Sequence, residues 1–386
     1  MQRFRFIDLF AGIGGFHQAL AALGGECVFA SEIDPACVSV YSDNYGVDSA
    51  HDITRVDATG VPEHDVLCAG FPCQAFSKAG GQRGFHETRG TLFFDVERIL
   101  RHSRPKYILL ENVRNLVSHD GGHTWTVIQD NLRALGYRLT AAPLIVSPHE
   151  FGIPQLRERV FILGVHDPAR IDVPLEARAD GATAKNATDI YSIVDSDVPV
   201  GDFGISEYEE RILSAWDEFH GGVDLNTIGF PVWAEEFKSD RPIDGLPGWK
   251  RQFIEKNRAL YSRNQKFIDG WLARHDDLRD FSPTHRKFEW QAGESIDSLW
   301  DGLIQLRPSG VRVKRPTAMP ALVAMVQIPI LGKYRRRLTP REAARLQSFP
   351  DDFKLDSNNQ RAYKQLGNGV NVEVVKHLAR LLFDQG

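Results

Sequence analysis

Through its first 165 residues the chain alternates short apolar runs with helical spacing, and this order constrains the fold more than any other feature. Residues 4–10, 27–31, 66–70, 107–111 and 160–165 read as strands, rich in β-branched, aromatic or aliphatic side chains and bounded by Gly, Pro, Asp or Asn. Residues 15–23 and 91–101 carry helical spacing between them. The β-α-β-α order predicts an α/β domain: a doubly wound, mostly parallel sheet with helices on both faces. In such sheets ligands bind beyond the carboxyl ends of the strands.

The pattern breaks near residue 167. Residues 167–240 are acidic, rich in Gly and Pro and weakly periodic. A helical stretch is expected over 246–274, with Trp249, Phe253, Leu260, Phe267 and Trp271 as its buried stripe, and strand-like pieces at 302–306, 311–314 and 321–328. These define a second, irregular domain over 167–335, leaving 1–166 and 336–386 for the first. The tail regains order: Thr339-Pro340-Arg341-Glu342 spells a capping box with Pro at the first helical position. A closing amphipathic helix over 370–383 is expected to pack back onto the first domain.

Composition enters as a set of exclusions. With 42% apolar residues in 386, the chain can bury two cores, which excludes disorder. Asp8 interrupts the first apolar run too early for a signal peptide, and no stretch approaches the roughly 18 apolar residues of a membrane span, so the chain reads as cytoplasmic. Four cysteines, at 27, 37, 68 and 73, form no Cys-x-x-Cys pair, which argues against structural zinc and against a disulfide framework. The net charge of -5 conceals a split. Residues 1–165 carry 15 basic and 18 acidic side chains, 166–240 carry 5 and 17, and 241–386 carry 26 and 16. A basic C-terminal portion is compatible with a polyanionic partner.

Chemistry-bearing residues gather at the strand ends. Phe10-Ala-Gly12-Ile-Gly14-Gly15 follows the first strand, where glycines let the backbone turn tightly and approach a ligand. Glu32 ends the second strand, placed to accept from ribose hydroxyls, and Asp52 is expected at the end of a third, short strand, placed to accept from an adenine amino group. The turn departs from G-x-G-x-x-G and lacks a Walker Gly-Lys-Ser/Thr, which weakens dinucleotide and ATP readings. Pro72-Cys73 follows the next strand, and Cys73 there is a nucleophile or an apolar filler. The glycine-rich loop after it, with Ser77, Gln82 and Arg83, is able to close over a substrate. Cys27, Cys37 and Cys68 sit in apolar surroundings and read as inert. Glu111 faces the same crevice or the surface. Of Arg157 and Arg159, one is solvated or paired with Glu158 while the other points into the site.

Six segments, in this order, resemble the DNA cytosine-C5 methyltransferases of bacterial restriction-modification systems: Phe-x-Gly-x-Gly at 10–14, Pro-Cys-Gln-x-Phe-Ser at 72–77, Glu-Asn-Val at 111–113, Gln-x-Arg-x-Arg at 155–159, Arg-x-Leu-Thr-Pro-Arg-Glu-x-Ala-Arg-Leu-Gln-x-Phe-Pro-Asp at 336–351 and Gln-x-Gly-Asn-x-Val at 365–370. The resemblance implies S-adenosylmethionine as methyl donor, no metal, and a covalent mechanism on a cytosine flipped out of duplex DNA. It assigns Cys73 as nucleophile, Glu111 as the group at N3, Arg159 at O2 and Arg157 in support. Phe10, Gly12, Gly14, Glu32, Ile33, Asp52, Pro72, Leu92, Asn368 and Val370 would line the cofactor pocket. Ser77, Gln82 and Arg83 would close on the DNA, with Arg307, Arg312, Arg315 and Thr317 reading it from the second domain. A monomer is expected, protecting DNA from a cognate restriction endonuclease that acts on the same site without contact. Gly369 stands where relatives often carry Ser, and Ile33 where they carry an aromatic, which predicts a looser pocket and weaker stacking on adenine. The alternatives are a silent DNA-binding homologue, an RNA cytosine methyltransferase on the same fold, and a nicotinamide dehydrogenase, which would leave Pro-Cys and Gln-x-Arg-x-Arg unexplained.

Overall fold

The computed structural model describes residues 3–72, 92–176, 188–199, 201–223, 230–322 and 327–385. Among these the helices are α1 (Gly15–Ala21), α2 (Pro35–Tyr45), α3 (Leu92–Ser103), α4 (His123–Ala134), α5 (Glu207–Gly222), α6 (Gly248–Arg263), α7 (Gln265–Arg274), α8 (Pro340–Leu346), α9 (Asn359–Asn368) and α10 (Val372–Phe383). The chain divides into two compact units, one of residues 1–188, 320–324 and 340–386, the other of 189–319 and 325–339.

The first unit is built on β1 (Phe4–Leu9), β2 (Gly25–Ser31), β3 (Val66–Ala69), β4 (Tyr107–Val113), β5 (Tyr137–Leu139) and β6 (Leu144–Val146), with a two-residue β7 (Gln155–Leu156) leading into β8 (Arg159–His166). The sheet order is β2-β1-β3-β4-β8-β5, with β6 also on β8. The first four strands are parallel, as the β-α-β order requires. The other half departs from the mostly parallel expectation, since β8 runs antiparallel to β4, β5 and β6. This reversal matters for the site. Arg159 opens β8 and pairs in register with Val113 at the end of β4, so a residue at a strand's start reaches the carboxyl edge of the parallel strands.

Period-two alternation sorts the side chains. Ile7, Leu9, Leu67, Ala69, Ile108 and Leu110 share one apolar core with Phe93, Val96, Ile99 and Leu100 of α3 and with Ile128 and Leu132 of α4. On α10, Val374, Val375, Leu378 and Leu382 are buried, and the helix packs on α1, β4 and β8, as its amphipathic face predicts. Asn371 caps it by accepting from the Val374 amide at 3.1 Å. Helices α2, α4 and α9 were not legible in periodicity alone. α2 nevertheless has clear end signals, an Asp34 cap, Pro35 at its first position and Gly46 at φ 65°.

The boundary between units falls later than the change in composition. Residues 167–175 stay with the first sheet because the amides of Asp167 and Leu175 donate to Gly136 and Leu139, and Arg138 donates to the Val173 carbonyl. Residues 336–337 belong to the second unit because Ile330–Leu331 and Arg336–Arg337 pair as strands there.

The second unit carries a six-stranded sheet that also includes Pro231–Trp233, Lys287–Trp290, Leu303–Arg307 and Gly310–Lys314. Trp216 is its packing centre, fully buried, stacked on Phe288 at 5.0 Å and edge-on to Phe219. The indole N–H groups of Trp216 and Trp271 donate to the carbonyls of His285 and Ala215. The single helix expected over 246–274 is two helices broken at Asn264, which shifts the buried stripe to Ile254, Leu260, Ile268, Trp271 and Leu272 and leaves Trp249 60% exposed. No strand forms at residues 321–322 or 327–328; residues 323–326 lie outside the described set.

Acidic and basic segments meet inside this unit. Arg335 pairs with Glu210, Arg337 with Glu209, Arg274 with Glu218 and Arg241 with Glu236. Arg336 is 1% exposed and donates to the Asp195 carbonyl. Four charges of the asymmetry between 166–240 and 241–386 thus cancel locally.

Candidate active site

Beyond the carboxyl ends of β1, β2, β3 and β4 lies a cleft of about 840 Å³. It opens at the topological switch point, where β2 flanks β1 on one side and β3 on the other. Phe10, Gly12, Glu32, Ile33, Asp52, Pro72, Leu92, Glu111, Arg157, Arg159, Asn368 and Val370 all line it.

The first wall is the glycine turn. Phe10 holds φ 56° and Gly12 φ 55°, left-handed backbone that turns the chain sharply out of β1. A side chain at Gly12 would meet no protein atom within 4 Å, so the space beside it is the cleft itself. Gly14 has a different reason to be glycine. At φ 87° its missing Cβ would stand 2.3 Å from the Tyr45 ring, so it serves the packing of α1 on α2 and does not line the cleft. Glu32 ties this wall together: Oε2 accepts from the Gly12 amide at 2.8 Å, while Oε1 accepts from the amides of Ile33 and Asp34 at 2.9 and 2.8 Å. With two acceptor positions per oxygen, Oε1 is filled by backbone and Oε2 has one position left for a ligand hydroxyl.

Asp52 reaches the cleft without the expected strand. It stands in an irregular segment after α2, where Oδ1 accepts from the amide and hydroxyl of Thr54 at 3.0 and 2.7 Å. These hydrogen bonds hold its carboxyl below the usual range. Ile33 is 74% exposed at the rim.

On the opposite wall, Glu111 is buried at the end of β4 with Oε1 3.1 Å from Arg159 Nε. Burial pushes its carboxyl pKa up, against the pull of Arg159 and Arg157. The next residue, Asn112, donates to the Phe71 carbonyl at 2.8 Å and so anchors the turn that carries Pro72. Sequence reading missed this role, although Asn112 adjoins a candidate residue. Cys73, Ser77, Gln82 and Arg83 lie outside the described residues.

The two arginines of Gln-x-Arg-x-Arg part company, and neither forms an ion pair with Glu158, whose carboxylate pairs with Arg114 while its main-chain carbonyl accepts from Arg159 Nη1 at 2.8 Å. Arg159 holds Glu111. Arg157, 3% exposed, donates to the carbonyls of Gly367 and Gly369 at 2.8 and 2.9 Å, on either side of Asn368. Its two terminal nitrogens are committed to main chain, so it fixes a cleft wall. Gly369 has φ -67° and no contact under 3.5 Å at its Cβ position, so serine fits there and the glycine is not demanded by the backbone.

The remaining thiols are protonated bystanders. Burial pushes Cys27 and Cys37 up to about 12 and Cys68 well above its ordinary value. Cys37 departs from the expected apolar setting, lining the cleft with Glu32 and Asp34 nearby. In the second unit Arg307 and Gly310 close a hairpin, but Arg312 is paired with Glu289 at 2.5 Å and Arg315 donates to the Ala292 carbonyl. Thr317 follows on the same segment.

A glycine turn after β1, an acidic residue after β2 and a buried Glu–Arg pair across one cleft define an α/β transferase of the methyltransferase fold. The family model for C-5 cytosine-specific DNA methylases matches residues 4–384, and the chain belongs to that family: its enzyme class is cytosine-5 DNA methyltransferase. Among relatives, it is 36% identical to the type II methyltransferase M.AluI of Cellulosimicrobium cellulans, over 98% of this chain and 91% of that one. It is 30% identical to the type II methyltransferase M.HhaI of Haemophilus parahaemolyticus, over 97% and 93%. The fold is shared with the S. pombe Dnmt2 methyltransferase, at 20% identity and a TM-score of 0.57 over 99% of both chains. No helix of the described residues is long and apolar enough to cross a membrane.

Proposed function

We propose that the protein methylates C5 of a cytosine flipped out of a specific duplex DNA sequence, through a covalent adduct to Cys73, and so protects that sequence from a cognate endonuclease. The observation that carries this is the Glu111–Arg159 pair, which lines the switch-point cleft together with Pro72. The cleft fits S-adenosylmethionine by its acceptor groups: open space at Gly12, an acceptor position on Glu32 Oε2, and carboxylates at Glu32 and Asp52 for a nucleoside and a cation. When bound, that cofactor supplies an electrophilic methyl group.

Cytosine C5 is a weak nucleophile until its aromatic conjugation is broken. The Cys73 thiolate forms a bond to C6, and the electron pair of the C5–C6 double bond moves into the ring. Glu111, whose carboxyl pKa burial raises, delivers a proton at N3 and neutralises that charge. Arg159 donates to O2 while its Nε keeps Glu111 oriented. After methylation at C5, loss of the C5 proton to a base restores the C5–C6 double bond and expels Cys73 as a thiolate, and N3 returns its proton to the Glu111 carboxylate. Arg157 holds the main chain around Asn368, and Asn112 the main chain before Cys73. Ser77, Gln82 and Arg83 would close on the extruded base, and Arg307, Arg315 and Thr317 are the candidates for contacts to the DNA outside it. The protein acts as a cytoplasmic monomer in this reading.

The test is trapping on duplex DNA containing 5-fluorocytosine with labelled S-adenosylmethionine, since fluorine at C5 blocks elimination. A denaturation-resistant adduct is expected for the wild type and none for Cys73→Ser. A folded, cofactor-binding protein that forms no adduct on any duplex would overturn the reading, and an adduct only with RNA would move it to the RNA substrate.

A further inference from the structure

A further part of the cofactor cleft's lining lies on a segment that no strand supports. Residues 46–57 run from the end of α2 to the turn before β3 without pairing to the sheet, yet His51, Asp52, Ile53 and Thr54 line the cleft. One end of this segment is fixed to the sheet edge, where the Glu32 amide donates to the Ser49 carbonyl at 2.7 Å. The other end is held by a side chain from α3. Arg98 Nη1 donates to the Val56 carbonyl and Nη2 to the Ile53 carbonyl, both at 2.7 Å, and Nη2 lies 3.3 Å from Asp95 Oδ1 one turn earlier on the helix.

We propose that Arg98 is a positioning residue for cofactor binding, holding residues 52–56 so that Asp52 and Thr54 face the cleft. Its guanidinium does not line the cleft, so it acts through the two carbonyls. The planar fork fits this role because two donors on one rigid group span carbonyls three residues apart, which a single ammonium does not. The same helix begins at Leu92, itself a lining residue, so α3 sets two parts of the cleft at once. Loss of the clamp frees residues 52–56 to sample conformations that must be ordered again when the ligand binds, and the penalty falls on binding. This inference rests on the reading that the cleft holds S-adenosylmethionine.

The test measures S-adenosylmethionine and S-adenosylhomocysteine affinity by titration calorimetry, duplex affinity separately, and kcat and KM for both substrates, in wild type, Arg98→Met, Arg98→Lys and Arg101→Ala. Methionine keeps the aliphatic stem and removes every donor. Arg101 pairs with Glu97 on the same helix and touches none of residues 52–56, so its loss reports on helix stability alone. Expected is a rise of about tenfold in cofactor Kd and KM for Arg98→Met, a smaller rise for Arg98→Lys, and none for Arg101→Ala. Duplex affinity should hold, and kcat should fall far less than KM rises. Unchanged cofactor affinity in Arg98→Met overturns the proposal. So does an equal loss in Arg101→Ala, or a fall in kcat and duplex affinity as large as the rise in KM. A wild type that binds neither nucleoside overturns the cofactor reading itself, a distinguishable result.

Discussion

Replacing each arginine of Gln-x-Arg-x-Arg by methionine should produce two different defects, although the residues are two apart in sequence. Arg157→Met removes two short charge-assisted hydrogen bonds, to the carbonyls of Gly367 and Gly369, besides a longer one of 3.4 Å to the Leu322 carbonyl, all from a side chain that is 3% exposed. At about 1.5–3 kcal/mol for each of the two short bonds, the loss is about 3–6 kcal/mol. Part is recovered because a guanidinium no longer has to be buried, a cost visible in its pKa, pushed down to about 9. A net loss of about 2–4 kcal/mol remains, which for a unit of this size lowers Tm by roughly 4–16 °C. Arg159→Met should cost under about 1 kcal/mol, because Glu111, already biased toward its protonated form, takes up a proton when its partner leaves. Its defect should appear in kcat, by about 10²–10³-fold, as for loss of an oxyanion donor. Differential scanning calorimetry and single-turnover methylation, run on both variants, separate the two. An Arg157→Met protein that melts with the wild type and loses turnover as deeply as Arg159→Met would refute the assignment of Arg157 to the main chain.

Other outcomes follow from the same geometry. Glu111→Gln should lower kcat by about 10²–10⁴-fold and flatten the alkaline limb of kcat against pH, because the wild-type rate falls as pH rises through the raised Glu111 pKa; a surviving limb would assign it elsewhere. Asp8 is fully buried with its pKa raised well above the usual carboxylate range, so the folded state holds a proton that the unfolded state releases as pH rises above about 4. Wild-type stability therefore declines with pH through that window, and urea melts should show Asp8→Asn gaining on it from pH 5 to pH 8; a constant difference would refute this. Gly14→Ala should lower Tm with little change in cofactor Kd, since its Cβ meets Tyr45 and not the cleft; equal Tm with a large Kd change would reverse the assignment. Arg312→Ala should leave the salt dependence of duplex binding unchanged because Glu289 already offsets its charge, and a slope reduced by about one would make it a phosphate contact.

Much of the fold was legible in residues 1–165 because strand alternation, glycine turns and caps are decided by neighbours a few positions apart. The five expected strands match β1, β2, β3, β4 and β8 to within two residues at each end. Most cofactor-side candidates could be read for the same reason: in a doubly wound sheet the residue after a strand faces the crevice, and Gly12, Glu32 and Pro72 obey this. Asp52 reached the cleft by another route, on an irregular segment whose placement depends on Arg98, forty-odd residues away in sequence.

The chain by itself determined which residues stand at strand ends and which chemical groups are present. Tertiary structure decided how they are spent. Nothing local in 155–159 states that β8 runs antiparallel, yet that direction brings Arg159 to Glu111 and sends Arg157 to a segment more than two hundred residues later. The basic balance of 241–386 looked like a surface for a polyanion, and Arg241, Arg274, Arg335 and Arg337 are paired with glutamates of the acidic segment. Charge is a property of composition, but the field it produces depends on which charges lie within a few ångströms of each other, and only the folded chain sets those distances.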